Sequence, residues 1–398
     1  MIPRFRPQLG WEELKAAWFQ PLAVDKFENS FAKLMGARNA VAFPYGRTGL
    51  ALLLRALGIK GKEIICPAYT CVVVPHAIIT SGNEPVFVDS RSEDFNADLD
   101  AVKYAINENT GAIIATSIFG YPVDLDRLAE IKRKYPQIAI VQDCAHSFGA
   151  EWKGKSVVNF GDAAIFGMNV SKLLTSIFGG MVTTNNDKLA ERLRCTRSQA
   201  IKSPGRWKPF GRRLYLTAVM AAFNKTAYSI VNSLERLGVL NRFVRYYDEG
   251  LIDMPEDYLV GLTEAEAAVG NVQIGRYYDI IARRREVAKY YNANLKGFKG
   301  LIIPPLIDGA TYSHYVIRTR GKEQLIKFGL QHGVQFGQLI EYCIPEMPSY
   351  INRSGARFGY SEASLMARTA VNLPLWSSAP NDLELVLHTV KLFSEKLR

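Results

Sequence analysis

The sequence predicts an α/β protein, with a large domain built around a mainly parallel sheet and a small α+β domain at the C-terminal end. Between residues 41 and 184, short β-branched stretches alternate with longer stretches of helical periodicity, an alternation that is typical of βαβ units. After residue 270, a long helical stretch is followed by one strand and two further helical patterns. We therefore expect a large domain over residues 1–270 and a small domain over residues 271–398.

The predicted strands of the large domain are short, rich in β-branched residues and bounded by turn or polar residues. They are EIICP, PVFVD, AIIAT and IAIVQD, and the helical stretches between them include TGLALLLRALGI and VDLDRLAEIKRKY. In the C-terminal part, IIARRREVAKYYNANL is helical and HYVIRT is a strand. Ligands of parallel sheets bind outside the carboxyl ends of the strands. Residues that directly follow the strands are therefore the first candidates for a site.

The composition indicates a globular chain from a reducing compartment. Its 398 residues are 48% hydrophobic, which suits a sizeable core. The five cysteines show no Cys-x-x-Cys spacing, which argues against a zinc site and against a disulfide framework. The N-terminal residues lack the apolar segment of a signal peptide, and no apolar run reaches the roughly 18 residues of a membrane span. We expect a cytoplasmic protein without a metal site.

Residues 201–250 resemble an insertion and hold most of the net charge of +11. They contain nine lysines and arginines but, up to residue 245, only one acid, Glu235, together with the apolar stretches LYLTAVMAAF and AYSIVNSLERLGVL. This pattern predicts either an inserted helical pair with a solvated basic face, or a basic amphipathic surface that meets anionic lipid or an acidic partner. Nucleic acid is not expected, because no recognition motif accompanies the charge.

A first candidate loop is the Gly46-Arg47-Thr48 turn, which directly precedes a strongly apolar helix. A helix N-terminus presents free N–H groups and the positive end of the helix dipole, and both suit a phosphate. Arg47 would add a charged, hydrogen-bonding fork. The alternative is that this turn is a simple helix cap.

Two further loops carry the remaining candidates. Asp143 ends the strand IAIVQD, and His146 follows three residues later; Asp143 is either a site carboxylate or a helix cap. Lys172 follows a short apolar strand and is either a surface lysine or a pocket amine that forms a Schiff base with a carbonyl. A phosphate-binding turn, a strand-end carboxylate and a pocket lysine together suggest pyridoxal phosphate (PLP), because that cofactor needs all three.

Several motifs follow one another in a specific order along the chain. They are GRTGLALLLRALG, ICPAYTCVVVPHAIITSGNEPVFVDSRSEDFN, IVQDCAHSFGAEWKGKSVVNFGDAAIFGMNVSKLL, GGMVTTNN and LTEAEAAVGNVQIGRYYDIIARRREVAKYY. In order and spacing the chain resembles the DegT/DnrJ/EryC1/StrS aminotransferases over most of its length, interrupted by residues 201–250. The resemblance implies fold type I of the PLP-dependent transferases, PLP as cofactor, and a homodimer with the site at the subunit interface.

The resemblance also implies a role for each candidate residue. Lys172 matches the lysine that forms the Schiff base with PLP and carries the proton. Asp143 matches the carboxylate that pairs with the ring nitrogen, and His146 matches the position against the cofactor ring. The turn 46–48 matches the phosphate-binding turn.

Five positions depart from the family pattern. Gly167 stands where the family usually has a serine that donates to the phosphate, and Cys71 stands where an aromatic residue often stacks on the cofactor; both remain candidate cofactor contacts. Leu259 and Gly261 stand where an asparagine and an arginine usually reach in from a partner subunit. Arg47 replaces a small polar residue, and our hypothesis is that it compensates for the lost phosphate donors.

The function implied by the resemblance is transfer of an amino group from a donor, expected to be glutamate, to a carbonyl compound. The expected acceptor is a keto sugar, linked to a nucleotide or a lipid, or a related carbonyl compound in polysaccharide, glycolipid or secondary-metabolite biosynthesis. Two alternatives stay open: another PLP reaction on the same scaffold, and a non-enzymatic binding protein at a membrane surface. The basic, apolar residues 201–250 add the expectation of peripheral contact with the inner face of the membrane.

Overall fold

The fold is given by a computed structural model that describes residues 1–223, 228, 248–353 and 358–396. The strands of the N-terminal part are β1 Asn39–Phe43, β2 Glu63–Pro67, β3 Glu84–Val88, β4 Thr110–Thr116, β5 Ala139–Asp143, β6 Glu151–Trp152, β7 Lys155–Ser156, β8 Ala163–Gly167 and β9 Gly180–Thr184. Seven of them form one sheet in the order β1-β9-β8-β5-β4-β2-β3, and β6 and β7 form a separate hairpin.

The large sheet is mainly parallel, as the sequence predicted. Strand β9 lies between β1 and β8 and runs antiparallel to both, whereas the other neighbouring strands pair in parallel. The four predicted strands EIICP, PVFVD, AIIAT and IAIVQD coincide with β2, β3, β4 and β5. This agreement confirms the α/β fold class.

Helices cover the sheet on both faces. They are α1 Trp11–Phe19, α2 Val24–Met35, α3 Gly46–Ala56, α4 Val73–Thr80, α5 Leu99–Ala105, α6 Leu125–Lys134, α7 Asp187–Ala200, α8 Trp207–Ala222, α9 Glu264–Gly275 and α10 Tyr277–Leu295. Local sequence sets several helix starts: Asp124 caps α6 with its carboxylate, and Thr263 and Glu266 form a capping box at α9.

Alternate side chains of each strand point into two separate cores, because successive residues of a strand face opposite sides of the sheet. Val41 and Ile64 belong to one core, whereas Ala42 and Ile65 belong to the other. Burial on both faces explains why the parallel strands are continuously apolar.

The C-terminal part contains a two-stranded antiparallel sheet flanked by helices. Its elements are β10 Tyr315–Arg318, α11 Lys322–Gln331, α12 Ser361–Thr369, β11 Ala370–Leu373 and α13 Pro380–Lys396. The predicted strand HYVIRT contains β10. The division of the chain at residue 270 stays a prediction; that residue lies inside α9, and Ile2 at the start of the chain bonds to Gly333 in the C-terminal part.

Helix α8 is the described portion of the insertion, and it packs against α1 and α9. Its Lys208 and Arg212 are 11% and 15% exposed and form ion pairs with Asp257, so a solvated basic face is wrong for these two cations. Trp207, by contrast, is 84% exposed. Most of the stretch AYSIVNSLERLGVL and four of the basic residues, Lys225, Arg236, Arg242 and Arg245, lie outside the described residues. No helix among the described residues is long and apolar enough to cross a membrane.

Candidate active site

The carboxyl ends of β4, β5 and β8 meet at one edge of the sheet and carry the first site residues. Thr116 ends β4 and lies opposite Asp143, which ends β5. The Thr116 hydroxyl donates to Asp143 Oδ2 at 3.4 Å, and the Ala145 N–H donates to Asp143 Oδ1 at 3.0 Å. Both carboxylate oxygens of a buried acid are therefore held in place.

Burial raises the pKa of Asp143, and three neighbours oppose that effect: the Ala145 N–H, the positive charge of Lys172 and the Thr116 hydroxyl. A buried carboxylate of this kind is stabilised further when a cation is placed beside it. Asp143 is therefore suited to pair with a protonated nitrogen of a ligand.

Lys172 lies in the loop between β8 and β9, and backbone hydrogen bonds close this loop. The Met168 N–H donates to Gly179 O at 2.8 Å, and the Lys172 N–H donates to Asn169 O at 3.0 Å. Ile177 adopts a φ of 73°, a strained value for a β-branched residue. The loop is thus held in a specific conformation around the lysine.

Lys172 is half-buried, and the burial of its amine lowers its pKa, although Cys71 and Asp143 partly oppose the effect. A lower pKa increases the fraction of neutral amine, the nucleophilic form. Gly167 lies beside the lysine, since a Cβ there would sit 3.6 Å from Lys172 Cε and 3.8 Å from Ala145 Cβ. The glycine therefore leaves room for a ligand next to the amine.

His146 is buried beside Lys172 and is held by Phe119. The Phe119 N–H donates to His146 Nδ1 at 3.4 Å, and the two rings stack with centroids 6.0 Å apart. Burial lowers the pKa of His146 well below its usual value, and the charges of Lys172 and His314 lower it further. The imidazole is therefore neutral and suited to lie against an aromatic ring.

His314 is a site residue that the sequence analysis missed. It directly precedes β10, its ring lies 5.5 Å from that of His146, and the charge of Lys172 acts on it. It brings the C-terminal part of the chain to the active site. The signal was a histidine at the start of the strand HYVIRT, but nothing in the local pattern shows that this strand begins beside Lys172.

The N-terminus of α3 lies next to Gly167, the residue that also approaches Lys172. A Cβ on Gly46 would lie 2.9 Å from Phe166 O and 3.1 Å from Gly167 Cα, and a Cβ on Gly180 would clash with the Gly46 backbone. Only glycine allows this approach of backbones. The predicted phosphate-binding turn and the lysine are thus brought to the same edge of the sheet.

Within this turn, Thr48 and Arg47 make different contacts. The Thr48 hydroxyl is buried and donates to Tyr258 O at 3.0 Å, so it offers a phosphate its backbone N–H instead of its hydroxyl hydrogen. Arg47 is half-buried, and its charge lowers the pKa of His76. Cys71 is half-buried and acts electrostatically on Lys172.

Leu259 and Gly261 lie on the segment that follows Tyr258, next to the turn. They pair through their backbones with Lys202, whose N–H donates to Leu259 O and whose carbonyl accepts from the Gly261 N–H, both at 2.8 Å. A Cβ on Gly261 would have only ordinary contacts, the nearest at 3.4 Å. Space alone therefore does not explain why glycine stands there.

The residues at this sheet edge fit PLP. The N-terminus of α3 approaches Gly167 and Gly180, a lysine of lowered pKa lies beside Gly167, and a buried carboxylate is held at a strand end. These are the groups that the phosphate, the carbonyl and the ring nitrogen of PLP require. Fold and site together define a PLP-dependent enzyme of fold type I.

The sequence model of the DegT/DnrJ/EryC1/StrS aminotransferase family matches residues 13–391, so the chain belongs to this family. It is a PLP-dependent aminotransferase, and the cofactor and the activity expected from the sequence are confirmed.

Relatives of named function are similar to this chain over different lengths. GDP-perosamine synthase of Caulobacter vibrioides is 33% identical over 57% of this chain and 61% of its own length. The spore coat polysaccharide biosynthesis protein SpsC of Bacillus subtilis is 25% identical over 96% of this chain and 94% of its own length. Among solved structures, the PLP form of Spr1654 from Streptococcus pneumoniae has a TM-score of 0.78 at 20% identity and covers 100% of this chain and 99% of its own. This last likeness supports the fold.

Proposed function

We propose that this chain transfers an amino group from glutamate to a keto sugar that is linked to a nucleotide or a lipid. The observation that carries the proposal is the half-buried Lys172, whose amine interacts electrostatically with the buried Asp143. The sugar is supported by relatives named for GDP-perosamine and polysaccharide synthesis.

When bound, PLP supplies a carbonyl that amines attack and a ring that withdraws electrons. We assign the proton transfer at the substrate Cα to Lys172, because burial lowers its pKa and so increases the fraction of neutral amine that can accept a proton. Asp143 would hold the protonated ring nitrogen, and its burial would strengthen that pairing. The buried His146 would lie against the ring and exclude water from one of its faces.

We assign the phosphate to the first turn of α3, residues 46–48. The free N–H groups of a first helical turn and the helix dipole favour an anion. Gly167 leaves space beside this turn, and Arg47 supplies a positive charge in it. We also place Cys71, in the loop that follows β2, near the cofactor, because it acts electrostatically on Lys172.

The test begins with the donor half of the reaction. Glutamate added to the PLP-loaded protein should change the visible absorbance of the cofactor, and aminated product should then form from a panel of nucleotide-linked keto sugars, detected by mass spectrometry. A response to glutamate without amination of any sugar would overturn the acceptor and leave the donor assignment intact. No response to glutamate would overturn the donor.

We propose that the chain acts as a cytoplasmic homodimer. Five cysteines without disulfides are typical of a reducing compartment, and the family resemblance implies a site at a subunit interface. Sedimentation velocity measures the mass directly. A monomer with full activity would contradict the proposal.

We also propose peripheral membrane contact through residues 201–250. Three apolar side chains of helix α8 support this proposal: Trp207, Phe210 and Leu214 are 84%, 43% and 49% exposed. Exposed aromatic and apolar side chains of a helix insert at a lipid interface. Co-sedimentation with anionic vesicles should fall when Trp207 and Phe210 are both changed to serine. Equal sedimentation of parent and variant would exclude contact through this face.

A further inference from the structure

Helix α8 places Arg212 in a buried ionic cluster. Arg212 Nη2 lies 2.8 Å from Asp257 Oδ2, and Arg212 Nε lies 2.9 Å from Glu266 Oε1. The Glu266 side chain is 1% exposed and that of Arg212 is 15% exposed. The guanidinium of the inserted helix therefore compensates buried negative charge in the body of the protein.

The same guanidinium reaches the start of the phosphate-binding turn through Tyr45. Arg212 Nη2 donates to the Tyr45 hydroxyl at 3.1 Å, and that hydroxyl donates to Asp257 Oδ1 at 2.5 Å. Tyr45 directly precedes Gly46, and its carbonyl accepts the Gly49 N–H at 3.0 Å, at the beginning of α3. Holding the phenol therefore fixes the point at which α3 begins.

Arg212 also contacts the loop that carries Lys172. Its guanidinium carbon lies 4.1 Å from the centroid of the Phe178 ring, and Phe178 precedes Gly179, whose carbonyl closes the lysine loop. The Phe178 and Tyr45 rings meet edge to face at 6.1 Å. One largely buried cation thus touches both the residue that precedes α3 and the loop that carries Lys172.

Tyr45 and Arg212 both keep their protons around neutral pH. Burial raises the pKa of Tyr45 to about 12, against the lowering effect of Arg212, so the phenol keeps the proton that it donates to Asp257. Burial alone would lower the pKa of Arg212, but Glu266 and Tyr45 raise it. The contact between Arg212 and Tyr45 is therefore charge-assisted and persistent.

We propose that Arg212 is a positioning residue that, through Tyr45 and Asp257, fixes the N-terminus of α3 for the phosphate of PLP. This inference rests on the proposed role of residues 46–48 and gives the insertion a part in cofactor binding. Helix α8 also supports the segment that contains Leu259 and Gly261, because Lys208 Nζ donates to Val260 O at 2.6 Å. This support explains how the phosphate end can function although Leu259 and Gly261 replace the asparagine and arginine that are usual in the family.

The experiment compares the affinities of the apoprotein for PLP and for pyridoxal, which lacks the phosphate. Arg212→Met removes the charge, and Tyr45→Phe removes only the hydroxyl. We expect each to weaken PLP binding about tenfold, the size expected for one charge-assisted hydrogen bond, while the affinity for pyridoxal stays unchanged. The matched control is Arg213→Met on the same helix, because Arg213 Nε donates to Ala17 O, away from the turn.

Each outcome distinguishes the inference from the function on which it rests. A parent protein that binds pyridoxal as tightly as PLP would overturn the phosphate role of residues 46–48. A parent that prefers PLP, with Arg212→Met and Tyr45→Phe retaining that preference, would overturn only the positioning role. Equal losses for both ligands would indicate general destabilisation and would also overturn it. If Arg212→Met does not fold, Tyr45→Phe carries the same comparison, because the change is nearly isosteric.

Discussion

The two ends of the active site are stabilised in different ways. The ring end, formed by Asp143, His146, Lys172 and His314, keeps its groups in place by burial and short-range hydrogen bonds, and its histidines are neutral. The phosphate end depends on a charged network that Arg212 joins from a distant helix.

Because of this difference, we expect substitutions at the ring end to affect the chemical step and substitutions at the phosphate end to affect cofactor binding. A substitution at the ring end removes a reacting group and leaves few buried charges without a partner. A substitution in the phosphate-end network leaves a buried charge uncompensated, which is strongly destabilising. We therefore expect ring-end variants to lose catalysis with the fold intact, and phosphate-end variants to lose cofactor affinity and stability together.

The largest effect is expected for Lys172→Ala. Loss of the group that moves the proton should lower the rate of the glutamate half-reaction by about 10²- to 10⁴-fold, while the unfolding temperature changes little. Stopped-flow absorbance of the PLP-loaded protein measures the rate. The control is Lys188→Ala, an exposed lysine of α7, and similar rates for both variants would contradict the assignment of Lys172.

For Asp143→Asn we expect a smaller loss, about 10²-fold in the rate of the glutamate half-reaction, because removal of one oriented electrostatic partner typically has an effect of this size. Because the charge of Asp143 raises the pKa of Lys172, its removal should lower that pKa further. The pH midpoint for the reaction of the apoprotein with PLP should then shift to lower pH. A shift to higher pH would show that the two groups do not interact as the structure indicates, and Asp187→Asn on α7 serves as the control.

At the phosphate end, Arg47→Ala should weaken PLP binding by about tenfold or less. Because the charge of Arg47 lowers the pKa of His76, the same variant should raise that pKa, which NMR titration of the imidazole can follow. PLP bound as tightly as in the parent would refute the compensation that we assign to Arg47. An unchanged His76 titration would show that the two side chains are not neighbours.

The smallest expected effect is on how the free energy of unfolding changes with pH. Burial, reinforced by Arg47 and opposed by Asp253, lowers the pKa of His76 from 6.5 to about 4. Between these two pKa values, the unfolded chain binds a proton at His76 that the folded protein does not. The free energy of unfolding is therefore not reduced by this group above pH 6.5, and it decreases as the pH falls from 6.5 towards 4. Urea unfolding at several pH values should show this decline, and His76→Gln should make it shallower. An equally steep decline in the variant would assign the effect to other groups.

Much of the fold follows from the sequence because its signals are local. Apolar runs bounded by turns predicted β2, β3, β4 and β5, and the apolar stretch after Thr48 predicted α3. Asp143, His146 and Lys172 were candidates because residues that follow the strands of a parallel sheet meet at one edge of that sheet, whereas Gly167 was found only by comparison with the family pattern. Their motifs also resemble a known family, whose membership the family match confirms.

Other features were decided only by tertiary packing. A count of charges predicts a basic segment, but it does not show whether Lys208 and Arg212 face water or a buried acid; the packing of α8 on α9 decided that. Likewise, Thr48 donates to Tyr258 and His314 meets His146 across long stretches of chain. Such contacts depend on how distant elements dock, and the energy that selects them comes from burial and charge pairing that no local pattern contains. The sequence by itself therefore determined the α/β fold and predicted the candidate reacting groups, whereas the tertiary structure decided which contacts hold the N-terminus of α3.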